Sequence, residues 1–93
     1  MIIAIDYDNT YAADPSTFDK VIKSFQEVGH TVICVTGRPA VMGQPVLDSI
    51  GKLVPVVFAG ARWKKEAALA RGYKVDVWID DMPSSIEQQF IIK

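Results

Sequence analysis

Asp6 and Asp8 stand two residues apart at the end of the apolar run 2–5, and Asn9 and Thr10 follow at once. Residues two apart on a strand point to the same side. One carboxylate can therefore attack an electrophile such as phosphorus while its neighbour, slightly further out, trades a proton with the leaving group. That division makes Asp6 the nucleophile and Asp8 the general acid. The same placement recurs along the chain. Thr36, Gly37 and Arg38 follow the apolar run 31–35, Lys64 and Lys65 come shortly after the run 54–59, and Asp80 and Asp81 follow the run 75–79.

Carboxylates from residues 6, 8, 80 and 81 brought a few ångströms apart repel and raise one another's pKa values. A cation must sit among them, and a hard divalent ion with oxygen ligands answers the need. Mg²⁺ typically takes one or two carboxylates, a carbonyl, waters and a substrate phosphate oxygen. Lys64 or Lys65 adds a fixed positive charge, and Thr36 a hydroxyl donor toward a phosphoryl oxygen. Asn9, Thr10, Gly37, Arg38 and Lys65 are the residues expected on the substrate side. Arg38 has two readings, a contact to a second anionic group of the substrate or a pairing with a surface acid.

These side chains need a scaffold that brings the ends of the apolar runs together. The runs at 2–5, 31–35, 54–59 and 75–79 are rich in Ile and Val and nearly continuous rather than alternating, as strands covered on both faces are. Between the first two, Phe18, Val21, Ile22, Phe25 and Val28 recur at helical spacing, opened by Asp14-Pro15-Ser16 and closed at Gly29. A second helix is expected from about residue 45, a third across 61–72 and a short last one from Pro83 or Ser84. Alternating strands and helices imply an α/β fold, a Rossmann-like three-layer α/β/α arrangement around a parallel sheet of four to five strands with right-handed crossovers. The end at residues 90–93 is expected to be an edge strand or a frayed tail. In an open parallel sheet, ligands bind beyond the carboxyl ends of the strands, near the point where strand order reverses. All the candidate residues belong to that end.

At 93 residues the chain is expected to be a single domain, 1–93, with no linker or repeat. A formal net charge of -1 supplies no basic footprint for nucleic acid, so attraction of an anionic substrate has to be local. The lone cysteine, Cys34, reads as a buried small hydrophobe, and with no apolar run long enough for a membrane span the expected location is cytoplasmic. With hydrophobic residues at 49% in so short a chain, a homo-oligomer is plausible. His30, at the turn before the second strand, reads as a turn residue on the far side from the crevice. Trp78 and the phenylalanines read as packing.

Asp6-Tyr7-Asp8-Asn9-Thr10, then Thr36-Gly37-Arg38, a lysine near 64, and Asp80-Asp81 after an apolar strand resemble the four motifs, in order, of the haloacid dehalogenase-like superfamily of phosphotransferases. The resemblance runs from residue 2 to about 85. It implies a Mg²⁺-dependent phosphatase that hydrolyses a phosphomonoester through an aspartyl-phosphate on Asp6, with Asp8 as acid and then base. Thr36 and the lysine hold the phosphoryl group. Mg²⁺ is held by Asp6, by the backbone carbonyl of Asp8 and by Asp81, with Asp80 behind it or as a further ligand. The family's Lys-x-Glu pattern fits Lys64 with Glu66 better than it fits Lys65, which stays a rival.

Asn9 stands where the family usually has Gly, and it tolerates the left-handed backbone such a loop wants. Neither usual interval leaves room for a cap domain. By the resemblance, capless members accept bulky phosphorylated substrates or borrow a neighbouring subunit as a lid. A nucleotide, a sugar phosphate, a nucleic-acid end and a phosphoprotein all fit that description, and Trp63 is expected beside the crevice. The alternative function is a non-catalytic module of the same fold that binds Mg²⁺ or a phosphorylated partner. A receiver-type signalling domain has its acidic pair first rather than last, and a dehalogenase lacks the second Asp.

Overall fold

The computed structural model describes residues 1–88; the expected edge strand or tail at 90–93, and Phe90 with it, lie outside the described residues. The apolar runs become β1 (Ile2–Ile5), β2 (Thr31–Thr36), β3 (Val56–Phe58) and β4 (Val77–Ile79). They form one all-parallel sheet of four strands in the order β3-β2-β1-β4, the α/β class that was expected. From β1 the chain moves outward through β2 to β3 and then returns to the opposite side of β1. Strand order therefore reverses between β1 and β4, and the loops leaving those two strands diverge there.

Alternation along each strand divides the core in two. Ile3, Ile5, Val32 and Cys34 join Ile22 and Val46, with Phe18, Phe25 and Phe58 packed alongside. Ala4, Ile33, Val35 and Val57 join Ala67 and Ala68, with Trp78 packed alongside. Both sets are apolar, which is why the runs read as continuous. The helical contributors come from α1 (Pro15–Glu27), α2 (Gln44–Leu47) and α3 (Lys64–Ala70). The Ala67 and Ala68 side chains are small, so α3 can lie close over the sheet, and its first residue starts against the strand ends.

Local chemistry sets the helix limits. The Asp14 carboxylate caps α1 by accepting the Thr17 N–H at 3.3 Å, and Pro15 suits the first turn. Both longer helices end in the same way. The His30 N–H reaches the Phe25 carbonyl and the Tyr73 N–H the Ala68 carbonyl, across Gly29 at φ 91° and Gly72 at φ 87°.

Several elements are shorter than expected, and for two of them the reason is visible. The second helix keeps one α turn because the Ser49 hydroxyl donates back to the Pro45 carbonyl at 2.7 Å, and the chain then continues as a 3-10 turn at Ile50–Lys52. β4 starts late because the Asp76 carboxylate takes the Ile2 N–H at 2.8 Å, a bond that a strand carbonyl would otherwise accept. The last helix is reduced to a 3-10 turn at Pro83–Ser85. Cys34 is fully buried, and burial pushes its thiol up to about 12, so it acts as a small hydrophobe. His30 pairs with the amino terminus at 3.0 Å, as far from the strand carboxyl ends as a turn residue was expected to be. Among the described residues, no helix is long and apolar enough to cross a membrane.

A Cβ added at Gly29 or Gly72 meets no heavy atom within 4 Å, so substitution there is opposed by backbone torsion alone. Gly29→Ala and Gly72→Ala are each expected to cost about 1 kcal/mol, read as a melting temperature lower by about 4–8 °C in a domain of this size. An unchanged melt in both would show that these helix ends do not require the left-handed conformation.

Candidate functional site

The chain leaves β1 through a tight turn. Tyr11 N–H bonds to the Asp6 carbonyl and Ala12 N–H to the Tyr7 carbonyl, with Asn9 at φ 60° between them, the left-handed backbone anticipated for that position. The turn is tied to α1 by the buried Tyr11 hydroxyl, which donates to Asp19 Oδ1 at 2.6 Å. Burial, and after it the Asp19 carboxylate, push that phenol up to about 12, so it remains a donor.

Asp6 lies at the centre of the site. It is 6% exposed and takes the Lys64 ammonium on Oδ1 at 2.9 Å. The same ammonium donates to Asp80 Oδ2 at 2.6 Å. Lys64 thus joins the ends of β1 and β4 from the first turn of α3. The Thr10 hydroxyl lies 3.2 Å from Asp6 Oδ2 and 3.0 Å from Asp81 Oδ1, with one proton for the two, and it accepts the Asp81 N–H at 3.3 Å. Asp80 also takes the Met82 N–H on Oδ1 at 2.9 Å, so it caps the last turn as well as holding the lysine.

The second aspartate has a different partner. Arg38 Nε and Nη2 donate to Asp8 Oδ2 and Oδ1 at 2.9 and 2.8 Å, a two-point pair. Of the two readings for Arg38, pairing with an acid is the one observed, and the acid belongs to the site. Thr36 is fully buried, and its hydroxyl accepts the Arg38 N–H at 3.2 Å. It caps the turn that launches Arg38 and does not line the cavity.

That cavity, about 310 Å³, opens between Asp6, Asp8, Asn9, Gly37, Arg38, Lys64, Asp81, Met82 and Ser85. Of the other expected residues, Thr10 and Asp80 do not line it but bond to side chains that do, and Lys65 and Trp63 are elsewhere. Lys65 pairs with Glu87 at 2.9 Å and lines a separate apolar cavity, because neighbouring helical residues point about 100° apart and only one of two adjacent lysines can face the strand ends. Trp63 lines that second cavity too, not the crevice. Met82, Ser85 and Tyr7, whose ring lies 5.1 Å from the Arg38 guanidinium, were not anticipated. The position of Tyr7 between the two aspartates was the available hint, whereas Ser85 reaches the cavity only through the 3-10 turn.

The electrostatics follow from burial. Desolvation pushes Asp6 up to about 6, Lys64 pulls against this, and the neighbouring Asp81 carboxyl adds to the rise. Asp81 is held below the usual carboxylate range, first by its hydrogen bond with Asp6. Burial works against the Lys64 charge, but its bonds to Asp80 and Asp6 outweigh it, so the ammonium stays protonated. Arg38 holds the Asp8 carboxyl low.

Oxygen atoms of Asp6, Asp80 and Asp81 lie within 4.8 Å of one another. An all-carboxylate donor set of this kind suits a hard cation rather than a thiophilic one. No protein-family model matches the chain, and neither does any curated protein or solved structure.

A raised Asp6 pKa sets a sign. The folded state holds this proton more tightly than the unfolded chain from about pH 4 to 6, so the Asp6 contribution is fully present at lower pH and lost as pH rises through about 6. In metal-free buffer the melting temperature of Asp6→Asn relative to the parent is expected to rise progressively across that window and to level off above it, from a starting offset set by the lost pairing with Lys64. Thermal melts of both proteins at pH 4 to 8 check this, and a relative melting temperature that falls with rising pH would contradict the assignment.

Proposed function

We propose that the chain is a Mg²⁺-dependent phosphatase of the haloacid dehalogenase-like kind, built as a Rossmann-like three-layer core without a cap. The observation that carries this reading is the convergence of Asp6, Asp8, Lys64 and Asp81 on one open cavity where strand order reverses. Asp6, Asp81 and Asp80 are the residues that would hold the ion, with the Asp8 backbone carbonyl. When bound, Mg²⁺ supplies positive charge against the phosphoryl oxygens.

In the first step, an Asp6 carboxylate oxygen bonds to phosphorus as the bond to the ester oxygen breaks, and Asp8, which has first to take a proton from solvent because Arg38 favours its charged form, gives that oxygen the proton. In the second, water adds to phosphorus, its proton passes to Asp8, and the bond to Asp6 breaks with release of inorganic phosphate. Lys64 aligns the Asp6 carboxylate and opposes the charge that gathers on the phosphoryl group. The open mouth suits a phosphomonoester carried on a larger body, among them a nucleotide, a sugar phosphate, a nucleic-acid end or a phosphoprotein.

Hydrolysis of 4-nitrophenyl phosphate by the purified protein is expected to require Mg²⁺, to stop with EDTA and to disappear in Asp6→Asn. Lys64→Ala should lose at least about a hundredfold in kcat, in line with removal of one positioned charge, while Lys65→Ala keeps the parent rate. If no turnover occurs while Mg²⁺ still raises the melting temperature, the non-catalytic binding module is the better reading.

A further inference from the structure

Arg38 is held from every side. Its Nε and Nη2 reach the two oxygens of Asp8 at 2.9 and 2.8 Å, its Nη1 donates to the Met42 carbonyl at 3.0 Å, and its guanidinium lies 5.1 Å from the centre of the Tyr7 ring. Tyr7 is in turn stacked on Tyr11 at 6.2 Å, and Tyr11 is anchored to α1 through Asp19. A guanidinium waiting for a substrate anion keeps donors free toward the cavity. Three of the five N–H groups here are committed to a carboxylate and a carbonyl, and the guanidinium lies against a ring.

Asp8 needs such a partner. It leaves β1 on the exposed side of a tight turn, its side chain is 48% exposed, and Arg38 supplies its only side-chain hydrogen bonds among the described residues. A free aspartate there samples several rotamers, and proton transfer demands one. A two-point pair fixes the plane of the carboxylate as well as its position. It uses one lone pair on each oxygen and leaves the second on each for a proton.

We propose that Arg38 is the positioning residue of Asp8, a clamp that orients the proton-transferring carboxylate toward the ester oxygen, with Tyr7 as its floor and Thr36 as the cap of the turn that launches it. The proposal rests on the phosphatase reading. It assigns the geometry of the Thr36-Gly37-Arg38 turn to Asp8 and not to the phosphoryl group.

The test is a kinetic cycle on 4-nitrophenyl phosphate and on an alkyl phosphate, whose poorer leaving group depends more on the donated proton. Arg38→Ala is expected to lower kcat on the alkyl ester about tenfold to a hundredfold, a part of the about 10²–10⁴ that a positioned acid contributes, and to leave KM within about twofold. The loss on the aryl ester should be smaller. Asp8→Asn combined with Arg38→Ala should be no worse than Asp8→Asn alone, because both act through one carboxylate. Free guanidinium ion should restore part of the Arg38→Ala rate and none of the Asp8→Asn rate.

A raised KM with unchanged kcat would overturn the clamp and make Arg38 a substrate contact, and so would additive losses in the double variant. A parent protein inert on both esters would overturn the phosphatase reading and the clamp together. Parent-like far-ultraviolet dichroism and Mg²⁺-induced stabilisation in Arg38→Ala separate these outcomes from misfolding.

Discussion

A buried ammonium survives only where carboxylates meet it at close range, since removing one partner leaves an uncompensated charge in a poorly solvated place. Lys64 has two such partners, Asp6 from the end of β1 and Asp80 from the end of β4. Those strands are neighbours in the sheet but the most distant in sequence. The lysine sits in the first turn of α3, where the helix dipole disfavours a cation, so the acids and not the helix hold it there. Through this contact the reversal of strand order, the approach of α3 and the orientation of Asp6 become one constraint. The small Ala67 and Ala68 are part of it, because a bulkier pair would lift the helix and draw the ammonium away.

That constraint works against stability in the acid it serves. Asp6 is kept where ionisation is unfavourable, and its pKa of about 6 registers burial winning over the attraction of Lys64. The neighbouring Asp81 moves in the opposite direction. Two carboxyls separated in this way differ in charge: one is readily protonated, and the other stays anionic at the cavity mouth. Asp8 belongs to neither environment. It is more exposed, and Arg38 keeps it in the charged form, so the acid nearest in sequence to Asp6 is electrostatically the most distant from it.

Much of this is legible in the sequence because strand ends are. A continuous run such as 2–5 or 31–35 names its own last residue, and whatever follows lies at the carboxyl edge of the sheet. Asp6, Arg38, Asp80 and Asp81 are found in this way. Contacts between side chains are less legible. Thr36 has the right type for holding a phosphoryl oxygen, yet the next turn uses its hydroxyl as a cap, and only the path of residues 36–38 decides between those uses. Lys64 and Lys65 are equivalent as letters and differ by about 100° of helix. Two of the boundaries that fail do so where a side chain replaces a backbone partner. Ser49 bends α2, and Asp76 delays β4.

The two cations of the site are not interchangeable, and the difference lies in how each meets its acids. Lys64 answers oxygens from two separate strands, which approach from different directions; a small ammonium with rotatable donors meets both within 3 Å. An arginine there would bring five donors in a rigid plane into a pocket that offers it only those oxygens, leaving buried N–H groups unpaired. Arg38 meets both oxygens of a single carboxylate, has a carbonyl beyond it and a ring beside it, and remains partly in water. A lysine at that position could neutralise Asp8 but could not fix the plane of its carboxylate. The buried pair therefore sets where Asp6 lies, and the exposed pair sets which way Asp8 faces.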